Sequence, residues 1–176
     1  MTSAAPDNDA VHQALNAYTQ TIAAAPDADT AFRIAERTAA ELIGHRLFTV
    51  MAFHRDSMEV ERCYSSNPEK YPAGGRKQKR DTAWGDHVLT QGEPFIGYNA
   101  DDIRANFNDH AVIQDLGLES VLNMPIKADG KTLGTMNLLD KAGHYSKQHI
   151  DIARSISVAL ADVLADVLQN RKPAGD

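Results

Sequence analysis

Two amides and a hydroxyl, Asn123, Thr135 and Asn137, are set among apolar residues in the stretch 119–141. Such a surface is what a small-molecule pocket needs, because apolar walls bury a ligand and a few amides orient it. The same amides could equally bond backbone or water near strand ends. Upstream, Trp84 and Phe107 offer aromatic walls, and His87, His110 or Arg76 could complement negative charge. Tyr64 adds a phenol and Asp101 and Asp102 add carboxylates, although Asp101 and Asp102 also suit the start of a helix and Tyr64 and Trp84 suit a core. An acid–base pair could form between His87 or His110 and Asp86, Asp101, Asp102 or Asp109. Adjacent residues on a helix do not face one another, so sequence neighbours alone do not make that pair.

A hairpin must hold the amides. Asp129-Gly130 separates two runs of strand composition, the clearest hairpin signal in the chain. A type I turn at Ala128 and Asp129, with Gly130 in a left-handed bulge, would pair Lys127 with Lys131. One face is then Leu122, Met124, Ile126, Met136 and Leu138. The other is Val121, Asn123, Pro125, Leu133, Thr135, Asn137 and Leu139. A two-residue turn would instead separate Asn123 from Asn137. The bulged turn is preferred because register follows the sorting of apolar from mixed residues.

The remaining elements follow from periodicity and breakers. Residues 1–9 read as a frayed tail. Val11, Leu15, Tyr18 and Ile22 define a helix over 10–25, and Phe32, Ala35, Ala39 and Leu42 a second one ending at Gly44. A buried strand over 47–53 pairs with one over 58–65, in which Val60, Arg62, Tyr64 and Ser66 share a side. Residues 66–81 form a long loop with room for a short strand, and carry the basic run Arg76, Lys77, Lys79, Arg80, which reads first as solvated. A helix over 82–91 puts Trp84, His87 and Val88 on one face. A strand over 93–97 and short helices over 100–104 and 109–116 precede the hairpin. Ser146 then caps a single long helix to about residue 170, followed by a tail over 171–176.

At 176 residues, with 43% hydrophobic and 24% charged residues, the chain suits one globular domain. A net charge of −6 argues against nucleic acid as the main partner. The single Cys63 excludes an intrachain disulfide and a multi-cysteine metal cluster, and fits a reducing cytoplasm. No signal peptide and no membrane span are expected, since no apolar run approaches the roughly 20 residues a span requires.

The run Ser120-Val121-Leu122-Asn123-Met124-Pro125-Ile126, then Gly130 and Leu133-Gly134-Thr135-Met136-Asn137-Leu138, resembles the central hairpin of GAF domains. The order of elements is similar to the GAF fold across about residues 10–170. The resemblance implies an α+β, PAS-related antiparallel sheet. Terminal helices cover one face and often dimerise, while loops and short helices roof a pocket on the other. It also implies which chemistries to weigh. Free methionine-(R)-sulfoxide reduction and covalent bilin attachment need cysteines that the loops over 66–118 lack. Asn106-Phe107-Asn108-Asp109 only superficially echoes the cyclic-nucleotide motif, and haem would need His87 or His110 as an axial ligand. What remains is a noncovalent sensor of a small polar metabolite, with no cofactor or metal. Its ligand is sought among Tyr64, Trp84, His87, Asp101, Asp102, Phe107, His110, Asn123, Thr135 and Asn137. It is expected to be a homodimer acting through a separate effector protein. A small His/Asp enzyme and a ligand-free dimerising scaffold are the alternatives.

Overall fold

The computed structural model describes residues 7–170, so the expected tail at 171–176 and most of that at 1–9 lie outside the described residues. The chain opens with α1 (Asn8–Ala23) and α2 (Ala28–Leu42), both capped by aspartate: Asp7 accepts from the Asp9 amide and Asp27 from the Thr30 amide. Strands β1 (Leu47–His54), β2 (Glu59–Ser65), β3 (Gly74–Gln78), β4 (Phe95–Gly97), β5 (Ser120–Ala128) and β6 (Lys131–Asp140) form one antiparallel sheet. Their order across the sheet is β3-β2-β1-β6-β5-β4. A π-helical turn (Gly85–Thr90) lies between β3 and β4 in sequence, and α3 (Ala100–Asn106) and α4 (His110–Asp115) lie between β4 and β5.

The chain closes with α5 (Gln148–Val158) and α6 (Ala161–Asn170), two helices where the apolar stripe predicts one. At the break the Leu160 amide bonds the Ser157 carbonyl, and the Ser157 hydroxyl donates back to the Arg154 carbonyl. A serine hydroxyl competing for helix carbonyls is a known source of such bends. Nor does Ser146 act as the cap; its own amide donates to Nδ1 of His149.

One face of the sheet packs under the helices. Phe48, Val50 and Ala52 of β1, Leu122, Met124 and Ile126 of β5, and Met136 and Leu138 of β6 join Phe32, Ala35, Ile156, Leu160 and Leu164 in a single core. The Tyr18 hydroxyl ties α1 to α5 by donating to the Ile156 carbonyl at 2.7 Å. At Gly134 of β6 both β1 and α6 crowd the backbone: a Cβ there would stand 2.0 Å from the Met51 carbonyl oxygen and 2.6 Å from Cδ2 of Leu164.

The hairpin carries the expected faces by a different route. Ala128 pairs with Lys131 across Asp129 (φ 52°) and Gly130 (φ 74°), a two-residue turn with both central residues left-handed. Ile126 pairs with Gly134 but Lys127 with Thr132, so Leu133 is an extra residue in β6. That bulge restores the parity the turn would have lost, and Asn123 faces Asn137. Its cost is borne by Leu133, which packs against the helix-side core instead of sharing the amide face.

A second bulge lies in β2. Val50 pairs with Tyr64 and Met51 with Arg62, leaving Cys63 as the extra residue. Tyr64 therefore turns to the helix side, among Phe32 and Phe48, while Val60 and Arg62 stay on the opposite side. Simple alternation had put all three together.

Candidate functional site

On the face away from the helices, β1, β5 and β6 present a hydrogen-bonded polar line. The Trp84 indole Nε1 donates to Oδ1 of Asn123 (3.0 Å), Nδ2 of Asn123 to Oδ1 of Asn137 (2.7 Å), and Nδ2 of Asn137 to Oγ1 of Thr49 (3.1 Å). All four residues are buried. The amides thus satisfy one another, Trp84 and Thr49, which is how buried polar side chains are normally accommodated.

Above this floor lies a cavity of about 40 Å³, lined among others by Thr49, Asn123, Asn137, Val60, Phe107 and Ile113. One to a few water molecules would fill it. Its upper wall is charged: Arg62, Lys77 and Lys79 stand against one carboxylate, Asp109. Arg62 comes from β2 and Lys77 from β3. Lys79 follows two residues later, so the two lysines share a side of an extended segment.

Asp109 is the hub. Tyr71 donates its hydroxyl to Oδ2, Lys77 Nζ bonds the same oxygen at 2.6 Å, and a guanidinium nitrogen of Arg62 lies 3.7 Å away. Arg62 is held over the Tyr71 ring at 3.5 Å and donates to the Pro72 carbonyl, yet its Nε is buried without a partner. Burial pushes the Asp109 carboxyl up, but the bonds from Lys77 and Tyr71 outweigh it and hold the group below the ordinary carboxylate range. Burial, with Asp109 beside it, drives the Tyr71 phenol upward.

Lys79 is only 7% exposed. Its ammonium lies 5.2 Å from the Trp84 ring centre and 5.7 Å from that of Phe107, and no carboxylate pairs with it among the described residues. Burial, then repulsion from Lys77, lowers its pKa, against a smaller pull from Asp109. Its backbone is pinned on both sides, the amide to the Met58 carbonyl and the carbonyl to the Thr82 hydroxyl. Gly85 completes the clamp, since a Cβ there would sit 2.4 Å from the Lys79 carbonyl oxygen.

Of the residues singled out in the sequence, Asn123, Asn137 and Phe107 line the cavity, and Trp84 backs it through Asn123 and Phe107. Thr135 shares the amide face but is fully buried, with its hydroxyl unpartnered. Tyr64 lies across the sheet, its hydroxyl donating to Glu36. His87 bonds the Pro94 carbonyl at 2.9 Å. In the π-helical turn Trp84 aligns with Val88 and Leu89, four and five residues on, which takes His87 off their face. Asp101 pairs with Arg104 on the exposed surface of α3, and Asp102 accepts from the Tyr98 amide. His110 has a buried, unpartnered Nδ1 and does not line the cavity. Neither His87 nor His110 forms an ion pair with a carboxylate among the described residues. The charged wall of Arg62, Tyr71, Lys77, Lys79 and Asp109 was missed as a site; its one sequence signal was the basic run, read as a solvated loop.

A six-stranded antiparallel sheet with helices on one face and a small, partly polar cavity under loops on the other defines an α+β domain. The family model for the GAF domain matches residues 25–165, and the chain belongs to that family of small-molecule and sensory domains. Among solved structures, the GAF domain of a phosphoenolpyruvate-protein phosphotransferase from Coxiella burnetii is similar at 18% identity and a TM-score of 0.75, over 93% of this chain and 98% of that one. Free methionine-R-sulfoxide reductase from Neisseria meningitidis, solved with its substrate, is 13% identical with a TM-score of 0.71, over 97% and 98% of the two chains. The chromophore-binding domain of a bacteriophytochrome from R. palustris is 12% identical with a TM-score of 0.69, over 94% of this chain and 64% of that one. These are likenesses of fold. No curated protein matches the sequence. No described helix is long and apolar enough to cross a membrane.

Proposed function

We propose that this GAF domain is a cytoplasmic sensory or regulatory module that binds a small, negatively charged metabolite noncovalently in the cavity and acts through a separate protein. The observation that carries the reading is the cavity's charge: three cations face one carboxylate, and Lys79 is buried with no anion of its own. An unpaired buried charge is costly, so a site that keeps one is a candidate for function. Phe107 and Ile113 supply apolar wall, and the amide line beneath keeps the floor rigid. At about 40 Å³ the cavity must widen at its roof to admit a metabolite. Dimerisation through the terminal helices belongs to the same reading.

Native mass spectrometry of the purified protein, against the same sample denatured, tests this directly. A dimer carrying a small acid that is lost on denaturation is the expected result. In parallel, Lys79→Met should weaken binding of that acid at least about tenfold, the scale of one charge-assisted contact. Unchanged binding in Lys79→Met would remove the charge argument.

A further inference from the structure

Four helix starts carry a side chain suited to capping, and three of them behave alike. Asp7 and Asp27 bond the first turns of α1 and α2, and Asn99 accepts from the Asp102 amide at the start of α3. Asp109 stands at the same position before α4 and makes no such bond. Its carboxylate turns to Tyr71, Lys77 and Arg62, donors from a loop and two strands that converge on one oxygen. Helix capping therefore does not account for where this side chain points.

The converging donors are also more than one carboxylate uses. Arg62 keeps a buried Nε unpartnered, and Lys79 stands unpaired on the same cavity. We infer that Asp109 is an internal stand-in for an acid group of the ligand: a small compound with two anionic groups displaces it, one group taking its place among Arg62, Tyr71 and Lys77 and the other meeting Lys79. This rests on the pocket reading above. It explains why the closed cavity is so small, since Asp109 is fixed to the segment joining α3 and α4 and its release frees that part of the roof. With the roof closed, apparent affinity is reduced by the fraction of molecules that are open.

The test is an NMR titration of the full chain with succinate, acetate and inorganic phosphate, on the wild type, Asp109→Asn and Asp109→Ser. Asp109→Asn keeps the side chain's shape and removes the competing charge. Asp101→Asn, at an exposed carboxylate, controls for net charge. If about a tenth of wild-type molecules are open, succinate should bind Asp109→Asn about tenfold more tightly than wild type. Asp101→Asn should match wild type, and acetate should bind more weakly than succinate throughout. Asp109→Ser, which removes the carboxylate altogether and suits the start of a helix, should tighten succinate in the same way, and decides the matter should Asp109→Asn not fold. Equal succinate affinity in wild type and both cavity variants overturns the displacement while leaving the pocket reading intact. Tighter acetate than succinate overturns the two-acid assignment. No response to any probe in any variant sinks both.

Discussion

Replacing Asn123 with leucine, a side chain of similar size, is the sharpest test of the amide line. Asn123 is 2% exposed, as is Trp84, so neither partner can turn to water. Asn123→Leu strands the Trp84 indole N–H at one end and Oδ1 of Asn137 at the other, because the bonds of 3.0 and 2.7 Å both end on residue 123. Each orphaned buried group costs about 1–3 kcal/mol, so the loss is about 2–5 kcal/mol after the small gain from an added apolar group. For a domain of this size that lowers Tm by about 5–15 °C. Urea unfolding followed by tryptophan fluorescence and by far-ultraviolet circular dichroism measures it, with coincident curves as the check on two-state behaviour. The double variant Asn123→Leu/Trp84→Phe should cost less than the sum of the two single changes by about 1–2 kcal/mol, since the indole N–H is no longer there to be stranded, and the variants without Trp84, the chain's one tryptophan, are followed by circular dichroism. A single variant within about 0.5 kcal/mol of wild type, with an additive double variant, would refute the hydrogen-bonded line as a stabilising element.

Further outcomes follow from the same geometry. Gly134→Ala drives a methyl into the Met51 backbone and should cost at least about 3 kcal/mol, read as a lower urea midpoint or loss of soluble protein. Because the folded Asp109 carboxyl lies below its unfolded value, the stability it contributes is present above that unfolded value and is lost as pH falls through the folded one. Asp109→Asn should therefore flatten the acid side of a stability profile taken from about pH 6 to about pH 3. Lys79 has the opposite effect: its lowered pKa means the charge opposes folding at neutral pH and relents as pH rises toward the unfolded value. Lys79→Met should leave stability unchanged or raise it by about 1–4 kcal/mol, measured by the same unfolding curves.

The fold was legible because its signals are local and redundant. Apolar spacing marked the opening helices, Asp129-Gly130 marked the hairpin, and apolar sorting put Asn123 and Asn137 on one face, as they are. What escaped is what periodicity cannot locate. An extra residue at Cys63 or Leu133 reverses parity without changing composition, which is why Tyr64 and Leu133 lie on the far side of the sheet from their expected places. The charged wall was hidden for another reason. Lys77 and Lys79 in sequence look like any polar loop, and only the tertiary packing of Trp84 and Phe107 buries Lys79. The two-residue spacing of those lysines was the available clue.

The edge of the sheet has a role of its own. Strand β3 pairs with β2 alone, begins with Gly74 and Gly75 at φ +93° and +74°, and is the most exposed strand. Yet it supplies Lys77, which ties this edge to Asp109 in the roof. The lining of the cavity is thus connected to a strand with no neighbour on its outer side among the described residues. A change at Asp109 therefore removes one of the ties that hold this edge strand to the segment between α3 and α4.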